Sequence, residues 1–128
     1  MNNAVSTYLR GLFAAAMLIL PVAAQAGQPF DATQFMQAQE AGKPILVEVA
    51  ASWCATCAKQ KPIIESLEAS QPNLVVFEVD FDTGKDLLKR FNAPWQSTLI
   101  VYKGAAEIGR STGETNPAAI RDLVAKAL

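Results

Sequence analysis

Apolar and polar positions divide the chain into alternating extended and helical stretches. Residues 11–20 (GLFAAAMLIL) form an uninterrupted apolar run that Pro21 breaks. Further on, Asp31 is placed to cap a helix over 32–41 with Phe35, Met36 and Ala38 as a modest apolar face, and Gly42 ends it. Residues 45–51 (ILVEVAA) read as a strand apolar on both faces, as in the centre of a parallel sheet, with one acid, Glu48, inside it. A helix then runs from the cysteines at 54 and 57 to about 70. It turns Ile63, Ile64 and Leu67 inward, with Pro62 expected to kink it. A second β-prone run covers 74–79, and a short amphipathic helix covers 85–92. A third strand over 98–103, a turn at 103–106 and an edge strand over 107–111 follow. Asn116-Pro117 opens a last helix whose stripe is Ile120, Leu123, Val124 and Leu128. With a short edge strand near Pro29-Phe30, this order predicts one α/β domain. Its central mixed sheet of four or five strands has helices on both faces.

Composition changes this picture mainly at the amino terminus. Arg10 precedes the apolar run, and Ala24-Gln25-Ala26 supplies the small residues that a signal peptidase reads. The run is shorter than the ~20 residues of a spanning helix. Residues 1–26 are therefore expected to be a secretory signal cleaved after Ala26, retention as an anchor being the alternative. The domain then covers 27–128, 102 residues with ten Lys+Arg against twelve Asp+Glu, and its expected location is the periplasm. A nucleic-acid binder would need a basic stripe or a strongly positive domain, which a formal net charge of −1 excludes.

The candidate chemistry centres on Cys54 and Cys57, the only cysteines, three apart at a strand-to-helix turn. That spacing reads as a redox dithiol. A bridge across it closes too small a loop to restrain the unfolded chain much, so it makes a poor staple and a usable switch. At a helix start, unpaired N–H groups and the helix dipole favour a Cys54 thiolate, and Cys57 one turn on is placed to resolve a mixed disulfide. Glu48, six residues before Cys54, is costly to ionise in an apolar strand. It is a candidate to exchange protons with Cys57, the alternative being an edge position facing water or a lysine. Two thiolates with no histidine and no third cysteine do not complete a tetrahedral metal site, and the missing histidine excludes Cys-His catalysis. No metal and no cofactor beyond the Cys54–Cys57 disulfide is expected.

Trp53-Cys54-Ala55-Thr56-Cys57, with Pro62 five residues on and an acid six before, resembles thioredoxin, and the resemblance covers nearly all of 30–128. It implies the thioredoxin fold and thiol–disulfide exchange with disulfide-containing proteins. Phe91, Lys103 and Gly113 keep the family's spacing, Gly113 matching a glycine that lines the substrate groove. Two departures stand out. Ala55-Thr56 replaces Gly-Pro between the cysteines, a dipeptide that tunes redox potential, which leaves the direction open. Ser97, within Gln96-Ser97-Thr98, stands where the family carries a cis-proline before a threonine. A non-proline cis bond costs ~2.5–4 kcal/mol, so the Gln96–Ser97 peptide is expected to be trans. A frame shifted to Pro94 is the alternative. The resemblance implies substrate contacts at Trp53, Gln96, Ser97, Thr98 and Gly113, and leaves Trp95 as either a packing residue or a platform.

Two functions fit these residues. The first is an exported, monomeric thiol–disulfide oxidoreductase, reductase favoured over oxidase or isomerase, fed by a membrane thiol-reductase electron donor. The second is a non-catalytic binding protein, or a copper or cluster carrier, using the same thiolates. The dithiol would be more open to metal capture without the proline.

Overall fold

A computed structural model describes residues 26–128; all but the last residue of the stretch 1–26, read above as a signal, lies outside them. Five strands, β1 (Gln28–Pro29), β2 (Pro44–Ala50), β3 (Val75–Asp80), β4 (Thr98–Lys103) and β5 (Ala106–Thr112), form one sheet in the order β1-β3-β2-β4-β5. β1, β3 and β2 run parallel, whereas β4 and β5 add as antiparallel neighbours. The mixed sheet is thus five-stranded, β1 being the short edge strand read near Pro29.

Side chains alternate across β2, which decides what each face meets. Leu46 joins Val76, Leu99 and Val101 against Ile63, Ile64 and Leu67 of α2 (Ala55–Ser70) and Ile120, Leu123 and Val124 of α4 (Pro117–Ala125). Ile45, Val47 and Val49 instead join Phe77, Val79 and Ile100 against α1 (Ala32–Glu40) and α3 (Lys85–Arg90). Phe30, Phe35, Phe77, Phe91 and Tyr102 interlock on this second face. Their ring centroids lie 5.3–6.4 Å apart, mostly edge to face. Such pairs are worth about 0.5–1.5 kcal/mol beyond burial. Ala26 packs into the first layer.

Local chemistry fixes the helix ends. Asp31 Oδ1 accepts the Gln34 N–H at 2.8 Å, and Asn116 Oδ1 accepts those of Ala118 and Ala119. Lys103 Nζ donates to Ala127 O at 2.7 Å, satisfying a carbonyl just beyond α4. Gly104 at φ +57° makes the tight β4–β5 turn.

Three sequence expectations need correction. Met36 is half exposed, because the inward side of α1 is Phe35 and Ala38 and Met36 is rotated off it. Leu128 is also exposed, since α4 ends at Ala125 and Ala127 fills the inward position. β5 also starts and ends one residue beyond the 107–111 read for it, where ladder bonds rather than hydrophobicity set the boundary.

Candidate active site

β2 ends at Ala50, and after three intervening residues the chain turns into α2 with Cys54 as its N-cap. Cys54 and Cys57 form a disulfide with Cα atoms 5.3 Å apart, and Cys54 Sγ accepts the Cys57 N–H at 3.0 Å. No acidic residue sits in the first turn to oppose the helix dipole there. Pro62 lies inside α2 without ending it; lacking an N–H, it frees the Ala58 carbonyl from its helical partner. The dithiol is well covered. Cys54 is 6% and Cys57 9% exposed, because Ala51, Ala50 and Phe81 pack around the sulfurs.

The tuning dipeptide, Ala55-Thr56, forms the first turn of α2, with Ala55 exposed. Trp53 stands outward, 58% exposed, yet is fixed. Its Nε1 donates to Asp82 at 2.9 Å, and its ring meets Phe81 edge-on at 6.1 Å. Trp95 is 65% exposed, so it does not serve the core.

Behind the disulfide lies a cavity of about 310 Å³ lined by Glu48, Cys54, Cys57, Ala58, Lys61, Glu78 and Asp80. Glu48 is only 5% exposed, and its Oε1 has no hydrogen-bond partner among the described residues. Its register partner on β3 is another acid, Glu78. Burial foremost, then Glu78 and Glu68, push the Glu48 carboxyl up to about 8, with Lys61 opposing. Glu48 therefore lines the dithiol cavity rather than facing an edge. Gly27 closes the far side: at φ +72°, a Cβ there would stand 3.2 Å from Glu48 Oε1 and 3.0 Å from Val76.

On the other flank, Ser97 sits at φ +56° with its N–H donated to Val49 O at 2.7 Å. No peptide bond among the described residues is cis, so Gln96–Ser97 is trans as expected and Ala93–Pro94 is trans as well. Gly113 N–H donates to Ser97 O at 2.9 Å, and Thr98 Oγ1 donates to Trp95 O at 2.8 Å. Ser97 Oγ donates to the Gln96 carbonyl. Gln96, Ser97, Thr98 and Gly113 are thus brought together at the β2 end that leads to Cys54. Two groups escaped the sequence reading. Glu78, an acid within an apolar run, carried the same signal as Glu48. Gln60 of α2, 2% exposed, lies on the inward stripe with Cys57, Ile64 and Leu67, where a polar residue was the clue. Among the described residues no group of three or more metal-ligating side chains comes together.

Comparisons with known proteins agree with this architecture. The thioredoxin family model matches residues 27–126. Thioredoxin-2 of Saccharomyces cerevisiae is 32% identical over 96 residues, 74% of this chain and 91% of that protein. The bifunctional thioredoxin reductase/thioredoxin of Mycobacterium leprae is 33% identical over 95 residues, of which the match spans only 21% of its length. Among solved structures, Trxlp from Edwardsiella tarda EIB202 shares 44% identity at a TM-score of 0.72, covering 75% of this chain and 95% of that one. Fold, dithiol placement and sequence likeness converge, and the chain belongs to the thioredoxin family of thiol–disulfide oxidoreductases.

Proposed function

We propose that this protein is an exported reductant of protein disulfides, and that the observation carrying the reading is a disulfide capping α2 over a cavity holding Glu48. In the reduced protein, Cys54 thiolate attacks one sulfur of a substrate disulfide. A mixed disulfide forms and the first substrate thiolate leaves. Cys57 thiolate then attacks Cys54 Sγ, forming the Cys54–Cys57 bond and releasing the second substrate thiolate, so two electrons pass to the substrate. Glu48 exchanges the Cys57 proton: its ionised form accepts it, its acid form returns it. Trp53, Gln96, Ser97, Thr98 and Gly113 form the substrate-facing rim.

Work in the periplasm requires a resupply of electrons, which a membrane thiol-reductase would provide; the protein acts as a monomer without a further cofactor. Cleavage after Ala26 would remove one small side chain from the core, an inexpensive loss. Cys54→Ser abolishes insulin reduction, and Cys57→Ala traps mixed disulfides. Full activity in Cys54→Ser would overturn the assignment. The redox midpoint separates directions: near ~−270 mV supports a reductant, near ~−120 mV an oxidant.

A further inference from the structure

Gln60 lies three residues past Cys57 on α2, fully inside the protein. Its Nε2 donates to two carbonyls from different loops, Ser97 O at 3.2 Å and Glu114 O at 2.8 Å. Ser97 O also accepts the Gly113 N–H, so one side-chain amide joins the active-site helix to both loops of the rim. Ser97 needs such restraint. A residue with a Cβ at φ +56° occupies a sparsely populated region, and holds there only when its surroundings over-determine it.

The residue type follows from the task. Reaching two carbonyls from one buried atom requires two N–H donors on a neutral group. A carboxylate offers none, and an ammonium would bury an unpaired charge. A leucine or methionine would fill the space but leave Glu114 O without this donor. A buried, satisfied amide adds little net stability while specifying one arrangement of its neighbours.

We propose that Gln60 is a positioning residue for protein substrates, clamping the Ser97 and Glu114 loops at the height of the disulfide. The inference rests on reading the site as a reductant of protein disulfides. It predicts a split between large and small substrates, because a small disulfide meets only the sulfurs and a protein must also dock on the rim.

Gln60→Met keeps length and volume and removes both donors. With dithiothreitol as electron source and insulin as substrate, KM is expected to rise about tenfold with kcat nearly unchanged. Reduction of 5,5′-dithiobis(2-nitrobenzoate) by the pre-reduced variant, and its redox midpoint, should match wild type. An unchanged insulin KM, or an equal loss on both substrates, overturns the clamp. Amide exchange is independent of any protein substrate. In the variant, Gly113 and Ser97 N–H are expected to exchange about tenfold faster beyond any acceleration that global destabilisation produces at Val47 and Ile100; an acceleration no greater than at those core positions refutes the clamp. If the wild type fails to reduce insulin, the functional reading falls, and exchange alone judges the clamp. Should the variant not fold, the wild-type Gln60 side-chain amide decides: slow exchange supports the bond pair, and rapid exchange excludes it.

Discussion

Glu48 and Gln60 are both buried polar side chains beside the same turn of α2, yet their surroundings are opposite. Glu48 keeps an oxygen without a hydrogen-bond partner and faces a second carboxylate across the strand pair. Gln60 spends its amide nitrogen on two carbonyls. An unsatisfied acid in low dielectric is poised to change its proton, because its charged form is the costly one. A satisfied amide changes nothing with pH and holds geometry instead. One flank of the disulfide is therefore built to titrate and the other to stay still.

The largest break in that comparison comes from removing the acid. Glu48 has a folded pKa raised to about 8 against an ordinary 4.5, so the native state holds a proton that the unfolded chain has lost. Its contribution is fully present below pH 4.5 and declines as pH rises through 8, by about 1.4 kcal/mol per unit. Urea unfolding of Glu48→Leu should show roughly 4 kcal/mol more stability than wild type at pH 8 and little difference at pH 4. Mixed-disulfide release should slow about a hundredfold. A pH-independent difference between the two proteins would show that Glu48 holds its proton no more tightly in the native state than in the unfolded chain.

Removing the amide works the other way. Gln60→Leu should cost about 1–3 kcal/mol at every pH between 5 and 8, because it leaves a carbonyl short of its donor. A pH-dependent loss would erase the contrast with Glu48.

A subtler test reaches Glu48 through its neighbour. Glu78→Gln removes a like charge across the strand pair and should lower the pH midpoint of Glu48 titration by roughly half a unit, Glu78 being exposed to solvent. Carboxyl-labelled NMR would read it, and an unmoved midpoint would remove Glu78 from the causes and leave burial with Glu68. The smallest effect is expected from Ser97→Gly. Glycine adopts φ +56° freely, and this gain offsets the lost Oγ bond to Gln96, so stability should stay within about 0.5 kcal/mol. A larger loss would mean that the serine hydroxyl, not the backbone, shapes the loop.

Much of the molecule was legible in advance because its signals are local. Alternation, turn residues and caps such as Asp31 and Asn116 placed every element, and the Cys54-x-x-Cys57 spacing placed the chemistry. What escaped depends on pairing between distant segments. Glu78 matters only because β3 sets it in register with Glu48, and strand register is decided by the whole sheet. Gln60 matters because loops 37 and 54 residues away end on its amide. Met36 and Leu128 failed for a simpler reason: an apolar residue near a helical stripe is not always on it.

The placement of the two tryptophans has an optical consequence. Trp53 and Trp95 are the only ones in the chain, and both stand exposed on segments flanking the disulfide, while the core is built from phenylalanine and aliphatic side chains. The indole emission of this protein therefore originates at the rim. It will report thiol oxidation and the arrival of a partner with little contribution from the interior. Following the collapse of the core calls for another probe, such as the five packed rings around Phe35 in the near-ultraviolet.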